Sequence, residues 1–168
     1  MSEIVLKLGD DVSTDTIYPG RFMATVLPAE TPAFAFADEK ETNGKLNRKE
    51  IAPGSVLLAG SNFGCGSSRE QAVSCLKGHE LVIVARSFAR IFLQNAVNLG
   101  LRTVTVPEIE AQAGDALDLG SNQVVNRSTG QSYRVEPLTA TQLAMIEAGG
   151  LIPYTRKRLL DSMPASAR

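Results

Sequence analysis

The sequence of 168 residues contains few cysteines and only one histidine, and both shortages exclude kinds of site. Two cysteines, Cys65 and Cys75, are too few for a disulfide scaffold and form no paired Cys-x-x-Cys units of the kind that bind zinc. We therefore expect free thiols in a reducing compartment and no metal bound by this chain. The single histidine, His79, lies at the far end of the predicted helix that follows Ser67 and Ser68, which argues against a serine–histidine–aspartate triad.

Basic clusters and long apolar runs are missing as well. Lys and Arg total 17 against 18 Asp and Glu, and the sequence contains no basic run of the kind that binds nucleic acid. No stretch is long and apolar enough to span a bilayer, and the opening MSEIVLKLGD lacks the basic start and apolar centre of a signal peptide. The sequence therefore predicts a cytoplasmic protein that binds neither nucleic acid nor a membrane.

The hydrophobic pattern predicts an α/β fold. With 43% hydrophobic residues, a chain of this length suits one compact domain with a substantial core. Apolar, β-branched runs alternate with helical spacing up to Pro107. Strands are predicted at 4–8, 55–60, 81–85 and 102–106, and helices at 68–78 and 87–98. Beyond Pro107, the short runs DALDLG, NQVVN and QSYRV predict a small additional β layer, and TATQLAMIEAG predicts a further helix.

Two segments are predicted to lie outside the packed unit. Residues 37–50, ADEKETNGKLNRKE, are highly charged and contain Asn-Gly, which predicts an exposed, mobile excursion. The tail at 155–168 is predicted to be loosely ordered. The rest of the chain, 1–154, is expected to form a single domain.

The stretch GSNFGCGSSRE at 60–70 has two interpretations. Ser67 and Glu70 match the Ser-x-x-Glu pattern of a capping box, which predicts an ordinary capped helix. The alternative is an anion site, because the glycines allow several N–H groups to point inward and Arg69 adds a charge that does not favour the helix start. The ending Gly-Lys-Ser/Thr of phosphate loops is missing, so a carboxylate is favoured. A serine held among such groups can act as a base without histidine.

Four segments, in this order, resemble the small subunit of the 3-isopropylmalate dehydratase and homoaconitase group. They are GDDVSTDTIYPGRFM (9–23), GSNFGCGSSREQAV (60–73), ARSFARIFLQNAVNLGL (85–101) and AGGLIPY (148–154). The resemblance implies an aconitase-like swivelling domain, layered β/β/α, with a mostly parallel α/β unit and a small additional β layer. It also implies a hydro-lyase of leucine biosynthesis that is active only with a large subunit, as a heterodimer or heterotetramer. The [4Fe-4S] cluster is then expected on the large subunit, and no cofactor in this chain.

The resemblance also assigns roles to individual residues. The serine that matches Ser67 is the base that removes and returns a carbon-bound proton, and the positions of Ser68 and Arg69 bind the substrate carboxylate. Thr14 and Asp15 match a Thr-Asp element at the active-site face, although a simple turn at the end of the first strand explains Thr14 equally well. Cys65 is expected to be a packing residue or a bystander thiol, because one cysteine cannot supply the three thiolates of such a cluster.

The predicted substrate is a small hydroxy di- or tricarboxylic acid. Relatives acting on homocitrate-like acids carry an arginine at the position that matches Ala24, and the apolar neighbours Phe22, Met23 and Val26 favour 3-isopropylmalate here. Arg21 leaves dimethylmalate, citramalate and homocitrate types open, because it could reach the site from the same loop. Arg90 is either a surface charge or a contact to the large subunit. A non-catalytic carboxylate-binding module and a cofactor-independent lyase are the other functional alternatives.

Overall fold

The computed structural model of the protein describes residues 1–48 and 50–162. Its strands are β1 Ser2–Lys7, β2 Val56–Ala59, β3 Val82–Ala85, β4 Thr103–Thr105, β5 Ala116–Leu119, β6 Gln123–Asn126 and β7 Ser132–Arg134. Its helices are α1 Thr14–Ile17, α2 Lys40–Asn47, α3 Glu70–Gly78, α4 Arg90–Leu99, α5 Ala140–Glu147 and α6 Leu151–Ser162, with single 3₁₀ turns at Gly20–Phe22 and Thr31–Phe34. Within the described residues, none of the helices has both the length and the apolar character needed to cross a membrane.

The strands form one sheet in the order β4-β3-β2-β1-β5-β6-β7. The first four in this order are parallel, and β5 to β7 continue the sheet as antiparallel neighbours. All four residues of β2 and all four of β3 are buried, as their continuous apolar runs predict for strands covered on both faces. The mostly parallel α/β unit expected from the sequence is therefore confirmed.

Two separate cores pack against the two faces of the parallel strands. Leu57 and Ile83 point into the core that contains the helices, together with Leu76 and Phe92. The alternate residues of the same strands pack instead against the antiparallel β5–β7 unit, in a second core that contains Val56, Val84, Leu117 and Val124. Because the sheet curls so that its antiparallel half covers one face of its parallel half, the layered β/β/α arrangement is also confirmed.

The charged segment at 37–50 is not a mobile excursion over its described residues, and that expectation is wrong. Helix α2 occupies Lys40–Asn47, and Leu46, which is 2% exposed, anchors it in the helical core. The side-chain amide of Asn43 donates hydrogen bonds to the carbonyls of Ala33 and Ala35, at 3.1 and 2.8 Å. The side-chain amide of Asn47 donates to the carbonyl of Ala33 as well, at 3.1 Å. One apolar residue and two amides thus hold this helix, which charge content alone does not reveal.

The predicted tail is helical as far as Ser162, where loose order was expected. Helix α6 runs from Leu151 to Ser162 and is exposed along most of its length. Its sequence is rich in Leu, Lys and Arg, which favour helix, and Arg158 lies over the ring of Tyr154, at 5.7 Å from its centroid. Residues 163–168 of the predicted tail lie outside the described residues.

His79, which follows the last turn of α3, is expected to make the folded chain less stable as the pH falls below the ordinary histidine pKa of 6.5. Its ring Nε2 lies 2.9 Å from the carbonyl of Pro32. Burial lowers the pKa of His79 below its ordinary 6.5, and the hydrogen bond to Pro32 opposes this only partly. The unfolded chain therefore takes up a proton first, and stability is lost as the pH falls from the unfolded pKa toward the folded one.

Chemical denaturation between pH 7.5 and pH 5.5 measures this loss. The chain contains one histidine, so no other side chain with an ordinary pKa in this window contributes. His79→Gln, which keeps an N–H donor for the Pro32 carbonyl, should flatten the profile. A variant profile as steep as that of the wild type would show that His79 is not the titrating group.

Candidate active site

Three loops meet at one edge of the sheet, because each follows the carboxyl end of a neighbouring parallel strand, β1, β2 or β3. The loop after β2, residues 60–69, contains the glycine-rich stretch. It is joined to the loop after β1 by hydrogen bonds of 2.8 Å from Gly64 N to Val12 O and from Thr14 N to Cys65 O. On its other side, the bonds from Phe63 N to Ser87 O and from Ala89 N to Phe63 O join it to the loop after β3, at 3.0 and 2.9 Å.

Two residues with left-handed backbone fix the turn between these loops. Asp11 and Asn62 have φ angles of 53° and 58°, and the side-chain amide of Asn62 donates to Asp11 Oδ1 at 2.7 Å. Asp and Asn tolerate this conformation better than other residues with side chains. Neither residue is among the site residues predicted from the sequence, although Asp-Asp after β1 and Ser-Asn after β2 are turn signals that could have indicated them.

The capping box predicted at Ser67 and Glu70 is wrong. Helix α3 begins at Glu70, its N-cap is Arg69, and no side chain caps it. Ser67 lies too early in the chain to cap α3, and its carbonyl accepts a 2.8 Å hydrogen bond from Thr14 Oγ1. A capping box is present instead at the start of α5, between Thr139 and Gln142.

Ser67 and Ser68 are both exposed at the start of α3. In the part of the chain that the structure describes, the N–H groups of Ser67, Ser68 and Arg69 have no protein acceptor, and the Ser67 hydroxyl has no protein partner. The hydroxyl therefore stands next to several open N–H donors, as an oxyanion or carboxylate requires. Thr14, which is 2% exposed, bonds through Oγ1 to the Ser67 carbonyl and through its N–H to the Cys65 carbonyl, so in this structure it positions Ser67.

Arg69 lies beside the two serines with its guanidinium already oriented. Its Nη1 contacts Asp15 Oδ1 and donates to the carbonyl of Tyr18 at 3.1 Å. The arginine side chain is 13% exposed and that of Asp15 is 58% exposed, so the aspartate faces solvent at the mouth of the site. Gly20 leaves room for this guanidinium, because a Cβ at position 20 would lie only 3.4 Å from Arg69 Nη2.

The loop that contains Arg21 and Ala24 packs next to α3. Gln71 Nε2, in the first turn of α3, lies 3.4 Å from the carbonyl of Met23, and Ala24 is exposed. Arg21 is engaged elsewhere: its Nη1 donates to Asp38 at 3.0 Å, and its guanidinium lies over Phe22. The structure thus brings Thr14, Asp15, Ser67, Ser68 and Arg69 together, and places Arg21 in a separate ion pair.

The cysteines of this chain do not suit an iron–sulfur cluster. There are two in the whole sequence, whereas such a cluster needs at least three thiolates. Cys75 is fully buried in α3, where burial raises its pKa, and Cys65 is half-buried, with its Sγ 3.3 Å from the carbonyl of Asp11. Among the residues that the structure describes, no group of three or more His, Cys, Asp or Glu side chains is arranged to hold a metal ion.

Comparison with known proteins gives a consistent result. Residues 36–109 match the aconitase C-terminal domain. The chain is 38% identical over 160 residues to the 3-isopropylmalate dehydratase small subunit of Thermodesulfovibrio yellowstonii, covering 92% of this chain and 93% of that protein. It is 40% identical over 158 residues to the methanogen homoaconitase small subunit of Methanothermobacter thermautotrophicus, covering 92% and 90%.

The fold has a solved counterpart as well. The crystal structure of 3-isopropylmalate dehydratase from Methanocaldococcus jannaschii superposes with a TM-score of 0.82 at 37% identity, covering 94% of each chain. Sequence and fold therefore agree over nearly the whole length of the chain. The chain belongs to the aconitase-related family that contains the small subunits of 3-isopropylmalate dehydratase and homoaconitase.

Proposed function

We propose that this chain is the small subunit of a two-subunit hydro-lyase that acts on a malate-type hydroxy acid, most suitably 3-isopropylmalate. The observation that supports this most directly is the exposed hydroxyl of Ser67 at the start of α3, surrounded by open N–H groups and flanked by Arg69. An exposed serine with these neighbours suits a base that works on a bound carboxylic acid. The family relation supplies the reaction class and the expected partner.

In the proposed reaction, Ser67 takes a proton from the carbon next to the substrate's hydroxyl-bearing carbon. The negative charge on the serine oxygen is stabilised by the N–H groups at the start of α3, and these groups are fixed before substrate arrives. Ser68 and Arg69 bind the carboxylate that flanks this carbon. Asp15 holds the Arg69 guanidinium through an ion pair, and Thr14 holds Ser67 through a hydrogen bond to its carbonyl.

The remaining chemistry is assigned to a large subunit. The family relation implies that this partner holds the iron–sulfur cluster and supplies a Lewis acid for the substrate hydroxyl. The residues of this chain cannot hold such a cluster, and the exposed position of Ser67 suits a site completed by a second polypeptide. The proposed assembly with the large subunit is a heterodimer or a heterotetramer.

The test is reconstitution. The purified chain alone is expected to be inactive, and the mixture with its cluster-bearing large subunit is expected to dehydrate 3-isopropylmalate, followed by the ultraviolet absorbance of the alkene. Activity of the chain alone would identify a cofactor-independent lyase. Binding of the acid by the chain alone, with an inactive mixture, would identify a carboxylate-binding module.

Substrate preference is expected to depend on Ala24. An alkyl group of the substrate can fill the space beside Ala24 and Met23 without leaving a charge unpaired, so the wild-type complex should prefer 3-isopropylmalate over a homocitrate-type acid. Ala24→Arg should reverse this preference, because the arginine crowds the alkyl group and pairs with the additional carboxylate. The measurement is kcat/KM for both acids at fixed ionic strength.

The matched control for added charge is Ala29→Arg, at another exposed alanine before the second 3₁₀ turn. If both variants improve the tricarboxylate equally, the effect is general attraction of anions. If the wild type already prefers the tricarboxylate, Arg21 leaves Asp38 to bind it, and Arg21→Ala should then abolish that preference.

A further inference from the structure

Helices α4 and α5 present an exposed surface next to the candidate active site. It consists of Arg90, Ile91 and the groove between the two helices, and we call it the α4–α5 surface. Ile91 is 45% exposed and Arg90 is exposed beside it. The groove has a volume of about 340 Å³, and its lining includes Arg90, Leu93, Gln94, Val97, Gln142 and Met145.

Among the described residues, Arg90 has no acidic partner that would explain its charge. It lies in the first turn of α4, where the helix dipole disfavours a cation, and this first turn contains no acidic residue. The rest of α4 contains none either, so no carboxylate is available one turn along the helix. None of the ion pairs found among residues 1–48 and 50–162 includes Arg90.

The α4–α5 surface begins at the same edge of the sheet as the serine base. Ala89, immediately before Arg90, donates a 2.9 Å hydrogen bond to the carbonyl of Phe63 in the loop that leads to Ser67. The ring of Phe88 packs edge-on against that of Phe63, with centroids 6.1 Å apart. A protein that brings its own groups to Ser67 therefore comes close to the start of α4, where Arg90 and Ile91 are exposed.

We propose that the large subunit docks on the α4–α5 surface, with an acidic side chain paired to Arg90 and an apolar side chain that covers Ile91 and enters the groove. This inference rests on the proposed function, since it assumes that a large subunit exists. A second copy of this chain is a poorer occupant. Two-fold pairing places the same surface on both copies, and because the lining of this surface contains no acidic residue, both arginines would lack an anion.

The test compares Arg90→Glu with Arg102→Glu in binding to the cluster-bearing large subunit, measured by titration calorimetry. Arg102 is another exposed arginine, immediately before β4 at the opposite edge of the sheet. We expect Arg90→Glu to raise Kd at least tenfold, with a difference that shrinks as salt is added, and Arg102→Glu to leave Kd within twofold. At saturating small subunit, kcat of the Arg90→Glu complex should equal that of the wild type.

The isolated variant provides the structural control. A glutamate suits the first turn of α4 better than an arginine, so the Tm of Arg90→Glu alone should equal or exceed that of the wild type. A Kd unchanged by Arg90→Glu overturns the docking proposal, and so does a lowered kcat at saturation, which would place Arg90 in the reaction. Wild-type chain that neither binds nor activates the large subunit overturns the proposed function and this inference together.

Discussion

Ser67→Ala is expected to lower kcat of the reconstituted enzyme by at least about 10²-fold, because loss of a base typically has an effect of that size. In this structure, Ser67→Ala tests the catalytic role of the hydroxyl alone, because it removes no helix cap. The hydroxyl of Ser67 caps no helix, and within the described residues it has no protein partner, so its removal should change the free energy of unfolding by less than about 0.5 kcal/mol. The Thr14 bond to the Ser67 carbonyl is unaffected by the substitution.

The control is Ser68→Ala, which removes the hydroxyl of the adjacent exposed serine. If Ser68 binds the carboxylate, this variant should raise KM and leave more of kcat than Ser67→Ala does. Both variants should keep the Tm of the wild type and its affinity for the large subunit. A kcat within twofold of wild type in the saturated Ser67→Ala complex would remove Ser67 from the reaction.

Gly64→Ala is expected to lower the free energy of unfolding by roughly 2–5 kcal/mol, through a backbone and a packing contribution. Gly64 has a φ of +80°, which costs a residue with a side chain about 1–2 kcal/mol. An added Cβ would also lie 2.2 Å from Cγ of Phe92, and overpacking of a core typically costs about 1–3 kcal/mol. Phe92 is 2% exposed and its ring packs against that of Phe63, so it has little freedom to move away.

Gly54→Ala separates the two contributions. Gly54 has the same φ of +80°, but an added Cβ would meet nothing within 4 Å. Its loss of stability should therefore contain the backbone contribution alone, and thermal unfolding should show a clearly lower Tm for Gly64→Ala. Equal Tm values would mean that Phe92 moves aside without cost. The reconstituted Gly64→Ala enzyme should also lose activity, because a Cβ that pushes against Phe92 displaces the backbone that bonds to Val12 and leads to Ser67.

Local patterns in the sequence were sufficient for the main features of the fold. The buried runs of β2 and β3 and the alternating runs of β5 and β6 are apolar patterns that a single strand carries in its own residues. The strand and helix alternation and the small additional β layer could therefore be predicted from these patterns, whereas the family and its layered β/β/α arrangement were implied by the resemblance of four segments to known proteins. Element ends were less accurate: α3 and α4 begin two and three residues later than predicted, at Glu70 and Arg90. Before α4, Ser87 and Ala89 bond instead to Phe63 in the loop after β2.

The geometry of the candidate site depends on the tertiary structure, because its contacts join residues that are far apart in the chain. The Ser-x-x-Glu pattern at Ser67 and Glu70 predicted a cap from residues three apart, whereas the carbonyl of Ser67 is held by Thr14, which lies 53 positions away. The ion pair of Arg69 with Asp15 spans 54 positions. The sequence alone determined which residue types stand in the glycine-rich loop. Which of them are held by partners, and which are left open to an anion, was decided only when three parallel strands brought their loops to one edge.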